Sequence, residues 1–161
     1  VAQLVADRYS PRGLVLLTPA PLTGSTPNLW HIAKQRPASA GAAVVGRTLP
    51  MTADQLFPGL DPGTAQRYVS RLGRESPLVQ YQLLGRRHIG PVRCPVMVAG
   101  TRSDSLVRER DVERTADAYG VEPAWLTRAD GSPIGHDVML DLGWEQALAE
   151  VLGFITAQVM R

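Results

Sequence analysis

Two polar stretches carry the residue types that perform acid–base chemistry: "GTRSD", ending in Asp104, and "SPIGHDVMLD", which contains His136. Imidazole is the side chain that titrates nearest neutrality. A carboxylate beside it fixes the tautomer and stabilises the imidazolium, which is what a general base requires. Two other aspartates compete for the acid role. Asp130 sits in "ADGS", a turn signature, and Asp137 directly follows the histidine, where its side chain points elsewhere. His31 and His88 lie far from His136 in the chain, and three histidines without metal-ligand spacing do not make a zinc site, so no metal or organic cofactor is expected. Cys94 is the single cysteine, has no base beside it in sequence and reads as a structural thiol; no intrachain disulfide can form.

The two loops matter because of the elements that precede them. "CPVMVAG" is a short apolar run ending in Gly100, and "PAWLT" (123 to 127) is another; both read as strands. Between them "RERDVERTADAYG" predicts a helix with Val112, Ala116 and Tyr119 inward and Gly120 as its stop. In the other direction, "VAQLVADRY" puts Val1, Leu4, Val5 and Tyr9 on one helical face, and "GLVLL" (13 to 17) is a continuous apolar run suited to a strand covered on both faces. After the histidine, Trp144, Ala147, Leu148, Val151, Leu152, Ile155 and Val159 recur at helical spacing. Strands alternating with helices predict an α/β class with a parallel sheet, whose ligands bind at the carboxyl ends of the strands. Asp104 and His136 fall at that edge.

Residues 19 to 92 differ, being rich in proline, glycine and small residues. "TADQL" has Thr52 and Gln55 at capping-box spacing; "DPGTAQRYVSRL" offers Asp61 as N-cap with Pro62 at the first helical position; "SPLVQYQLL" repeats the device with Ser76 and Pro77. These are short helices of an insertion. Trp30, His31, Phe57, Tyr68 and Tyr81, with Leu29 and Leu56, are its candidates for lining an apolar substrate pocket.

Bulk properties narrow the function classes. A chain of 161 residues, 44% apolar, can bury the core of one ordinary domain. The formal charge of +2 rests on arginine, with Lys34 the single lysine, and gives no general argument for nucleic acid. Arg67, Arg71, Arg74, Arg86, Arg87 and Arg93 read as a solvated helix face, with an anion or partner surface as the alternative. No apolar run reaches the roughly 18 residues of a membrane span, and a cytoplasmic, reducing location is expected.

The order of these elements, with "RCPVMVAGTRSD", the following helix and strand, and "GHDVMLD" before a tryptophan-bearing final helix, resembles the C-terminal half of the α/β-hydrolase family. "VAQLVADRYSPRGLVLLTPAP" is similar to that family's segment just beyond the nucleophile elbow. The resemblance divides the chain into residues 1–23 (helix and strand after the elbow), 24–91 (an inserted helical cap) and 92–161 (the C-terminal core with acid loop, histidine loop and final helix). It implies His136 as general base and Asp104 as its acid. The loop from Gly100 to Asp104 is one residue longer than the commonest family spacing. The family's nucleophile, a serine in G-x-S-x-G, has no counterpart among the 161 residues. Sequence or a chain N-terminal to this one is expected to supply it, together with the strands that would cover a raw sheet edge.

The activity this implies is that of a serine-type hydrolase acting on an ester, lactone, thioester or related acyl substrate. An aspartate nucleophile would turn the same pair to epoxide or haloalkane hydrolysis. An acyltransferase or cyclase on the same scaffold, and a non-catalytic hydrolase-derived binding module, are the other readings. A homo-oligomer is left open.

Overall fold

The computed structural model describes the chain except residues 1, 23, 25–29, 31–32, 35–40, 42–50, 74–75, 77–78, 80–81, 83, 86–89 and 161. Its centre is a parallel sheet of three strands in the order β1 (Leu14–Leu17), β2 (Val96–Gly100) and β3 (Pro123–Trp125). Leu14 pairs with Val96 and Leu17 with Ala99; Val98 pairs with Pro123 and Gly100 with Trp125. The third strand is shorter than the expected 123 to 127, because Thr127 leaves the sheet for an antiparallel bridge to Pro133.

The alternating faces of these strands feed two cores. On one side Leu14, Leu16 and Val98 pack with Ala6 of α1 (Ala2–Tyr9) and with Val112 and Ala116 of α4 (Glu109–Tyr119). On the other, Met97 and Ala99 pack with Leu126, Ile134, Val138 and Ala147, the last from α5 (Trp144–Phe154), with Val15 and Leu17 partly buried against them. Helices therefore cover both faces of the sheet, the α/β arrangement that the unalternating run at 14–17 requires. Complete burial of side chains such as Val98 and Val112 contributes roughly 1.5–3 kcal/mol each. Gly100 is needed where the layers meet, since a Cβ there would stand 2.7 Å from Val112 Cγ2.

Local signals end the helices as expected. Gly120 stops α4 at φ +67°, a conformation that side chains resist. In the insertion, α2 (Ala53–Leu56) begins where Gln55 Oε1 accepts from Thr52 N (3.1 Å) and Thr52 Oγ1 (2.9 Å). The next helix, α3 (Pro62–Val69), begins where Asp61 accepts from Thr64 N at 3.0 Å. Leu56, Phe57 and Ala65 form a third, smaller core that also reaches Leu106. Most of the expected helix at 76–84 lies outside the described residues.

Two helical faces differ from the sequence reading. In α1 the residues buried against the sheet are Gln3 and Ala6, whereas Leu4, Val5 and Tyr9 are exposed. In α5 the packed row is Ala147, Val151 and Phe154, while Trp144, Leu148 and Leu152 face outward. Both stripes were legible as periodic, but periodicity does not say which side of a helix the sheet occupies. After Phe154 the chain continues in a π-helical turn, Ile155–Val159. Among the described residues, no helix is long and apolar enough to cross a membrane.

Candidate active site

The site lies at the carboxyl edge of the sheet. Leaving β2 at Gly100, the chain turns through residues 101–108 before α4, and this turn is organised by Asp104. Its Oδ1 accepts from Leu106 N at 2.7 Å and Val107 N at 2.9 Å, fixing the loop as a cap fixes a helix start. That leaves Oδ2 directed at the next loop, where His136 Nδ1–H donates to it at 2.8 Å. The Asp104 side chain is 1% exposed and that of His136 24%.

The histidine loop is held at several points along its length. Leu126 N donates to Gly100 O at 2.9 Å, Arg128 N to Ser132 O at 2.8 Å, and Ile134 is fully buried. Ser103 Oγ donates to Ile134 O at 3.0 Å, joining the two loops a second time. From β1, Thr18 Oγ1 donates to His136 O at 3.2 Å. Thr18 has φ +42°, an unfavourable backbone for a β-branched residue that costs about 1–3 kcal/mol and persists only where neighbours impose it. Thus all three strand ends contribute to the site.

Electrostatics follow from this geometry. Burial of His136 disfavours its charged form, but the Asp104 hydrogen bond and charge, aided by Asp137, outweigh it and hold the imidazole above the ordinary histidine range. Because Nδ1–H donates to a carboxylate, the neutral ring presents Nε2 as an acceptor. Among the described residues no group hydrogen-bonds Nε2. A neutral imidazole with one nitrogen anchored and the other free can take a proton from a substrate or nucleophile.

The competing acids are placed elsewhere. Asp130 is exposed and accepts from Ser132 N at 2.8 Å and from its hydroxyl, bonds that hold its carboxyl below the usual range; it is a turn residue. Asp137 is half-buried, and burial pushes its carboxyl up. Its backbone N–H donates to Leu56 O at 3.3 Å. Neither aspartate bonds His136 Nδ1.

Of the pocket candidates, Trp30 is 66% exposed with the Lys34 ammonium 5.6 Å from its ring. Phe57 is 1% exposed and packs its ring 5.5 Å from that of Tyr68, so it offers no surface to a ligand in this structure. Tyr68 borders a small cavity of about 210 Å³ with Thr64, Arg67 and Arg71. His31, Tyr81 and also His88 lie outside the described residues. Among the described residues no cluster of three metal-ligating side chains exists.

Sequence reasoning missed Thr18 and Asp141. Asp141, three residues before α5, is fully buried and turns back toward the histidine loop. Its position after "GHDVML" was the one signal, and it does not give a direction. Scans of the chain against protein-family models and against curated proteins returned no match.

Proposed function

We propose that this chain is the acid–base half of a serine-type α/β-hydrolase acting on an ester, lactone, thioester or related acyl substrate. The observation that carries the reading is the 2.8 Å bond from His136 Nδ1 to the buried Asp104, made between loops that follow neighbouring parallel strands. In the reaction, His136 Nε2 takes the proton of an attacking serine hydroxyl and returns it to the leaving group. Asp104 keeps the proton on Nδ1 and stabilises the imidazolium formed.

The serine is supplied by a strand that pairs with the free edge of β1. Leu14 N and Thr18 N donate to Pro95 O and Ala99 O, so alternate residues of β1 face β2. Val15 and Leu17 direct their N–H and C=O groups to the other edge, where no strand pairs among the described residues. That edge is apolar and without the charges, prolines or bulges by which natural edges are protected, which favours coverage by another strand. A strand there ends beside Thr18, which already touches the histidine loop.

The test begins with native mass spectrometry of the purified protein, followed by fluorophosphonate labelling and assay against short acyl esters. The expected result is a labelled serine outside these 161 residues, in the same polypeptide or an associated one, with labelling and hydrolysis lost in His136→Gln. A folded 17.4 kDa monomer that neither labels nor hydrolyses any ester would overturn the proposal.

A further inference from the structure

Asp141 is a fully buried carboxylate that the acid–base pair does not use. Burying an ionised carboxylate is costly unless its oxygens are satisfied. Here they are satisfied by three backbone amides drawn from three places. Oδ2 accepts from Gly135 N at 2.7 Å; Oδ1 accepts from Gly59 N at 3.0 Å and from Leu142 N at 2.8 Å. Gly135 immediately precedes the histidine, and Gly59 belongs to the insertion, directly after α2.

We infer that Asp141 is a positioning residue that clamps the His136 loop onto the Leu56–Gly59 segment of the insertion. The glycines are part of the device. At Gly135 a Cβ would stand 2.3 Å from Pro58 Cδ, 2.5 Å from Leu56 O and 2.9 Å from Asp141 Oδ2. At Gly59 it would stand 2.0 Å from Arg128 Nη2 and 2.8 Å from Asp141 Oδ1. Both backbones approach the carboxylate closely because neither carries a side chain. One further bond runs the same way: Asp137 N donates to Leu56 O at 3.3 Å. His136 therefore sits between Gly135 and Asp137, both tied to the insertion or to Asp141. The insertion thereby sets the orientation of the imidazole, although no side chain of residues 56–59 bonds the ring. The consequence for catalysis rests on the acid–base reading of His136; the clamp does not.

The carboxylate is needed because all three partners are donors. In Asp141→Asn the amide can keep either Gly135 or the Gly59 and Leu142 pair, while its own N–H₂ faces a donor at the other position. The test compares Asp141→Asn with Asp130→Asn in the full chain by NMR. Asp130→Asn removes the same charge from an exposed turn and serves as control. Removing the Asp141 charge lowers the His136 midpoint through space as well, so position is read from the Nδ1 proton shift, which follows the length of the bond to Asp104.

In Asp141→Asn we expect amide exchange at Gly59 or Gly135 to accelerate on the order of tenfold or more, as loss of a buried charge-assisted bond implies. The His136 Nδ1 proton should move upfield as its bond to Asp104 loosens, and Asp130→Asn should change neither. Unchanged exchange and an unchanged Nδ1 proton shift in Asp141→Asn would overturn the inference. Should that variant not fold, the wild-type chain decides: through-bond couplings from the Gly59 and Gly135 amide nitrogens to Asp141 Cγ must be present, and their absence overturns it. A clamp seen by NMR in a protein without acyl reactivity would support the inference and remove the hydrolase reading.

Discussion

Replacing Asp104 by asparagine should leave the fold standing and silence the histidine. The carboxylate accepts three hydrogen bonds, from Leu106 N (2.7 Å), Val107 N (2.9 Å) and His136 Nδ1 (2.8 Å). The asparagine oxygen can keep the two backbone donors on the Oδ1 side, so the loop retains its anchor, and the stability lost is that of the His136 bond, about 1.5–3 kcal/mol while the imidazole is charged. Its N–H₂ then faces His136, and two donors cannot share that bond. The imidazole must move its proton to Nε2 and accept at Nδ1, the wrong tautomer for a base acting through Nε2. The bond and charge that hold the imidazole above its ordinary range are then gone, so its midpoint should fall. Burial, then opposed only by the Asp137 charge, brings it toward the ordinary histidine value. Acyl hydrolysis should fall on the order of 10⁴-fold, the size known for the same change in the serine-protease triad. Imidazole nitrogen NMR reads tautomer and midpoint, and urea unfolding reads stability. An Asp104→Asn protein that kept Nδ1–H and the raised midpoint would refute the reasoning.

Two other outcomes follow from the same geometry. In the proposed reaction His136 acts as a neutral base, and its folded pKa is raised by Asp104, so the acid limb of kcat/KM should have its midpoint above 6.5; a midpoint at or below 6.5 would contradict the placement of the pair. The sign for stability is opposite: the pair's contribution is complete below pH 6.5 and is lost as pH rises through the folded pKa, which unfolding measured across pH 6–9 should show. Gly135→Ala forces a Cβ to 2.3 Å from Pro58 Cδ and 2.5 Å from Leu56 O, so it should cost about 1–3 kcal/mol or more in chemical denaturation; wild-type stability would mean that the insertion does not press on the histidine loop.

Much of the arrangement is legible in the chain because it is encoded locally. The apolar runs at 14–17 and 96–100, the Gly120 stop, the Thr52–Gln55 box and the Asp61 cap each depend on residues within a few positions of one another. The parallel sheet follows from their alternation with helices, and it places Asp104 and His136 at one edge before any contact is known. Two features are not local. Which side of α1 and α5 meets the sheet depends on what lies opposite, so the stripes at Leu4 and Val5 and at Trp144, Leu148 and Leu152 point outward despite their periodicity. Phe57, an aromatic in a loop-rich region, gives no sign in sequence that Tyr68 and Ala65 enclose it.

The sequence by itself determined which groups could act as acid and base, because their chemistry belongs to residue type and their loops follow recognisable strands. The resemblance already favoured Asp104 as the acid, but only the tertiary structure shows what each carboxylate binds. Asp104, Asp130, Asp137 and Asp141 are alike as residues, yet one meets His136 Nδ1, one closes a turn, one is half-buried beside the ring and one binds the amides of Gly59, Gly135 and Leu142. A carboxylate's role is set by which donors surround it, and those donors come from segments up to 82 positions away, brought together by packing.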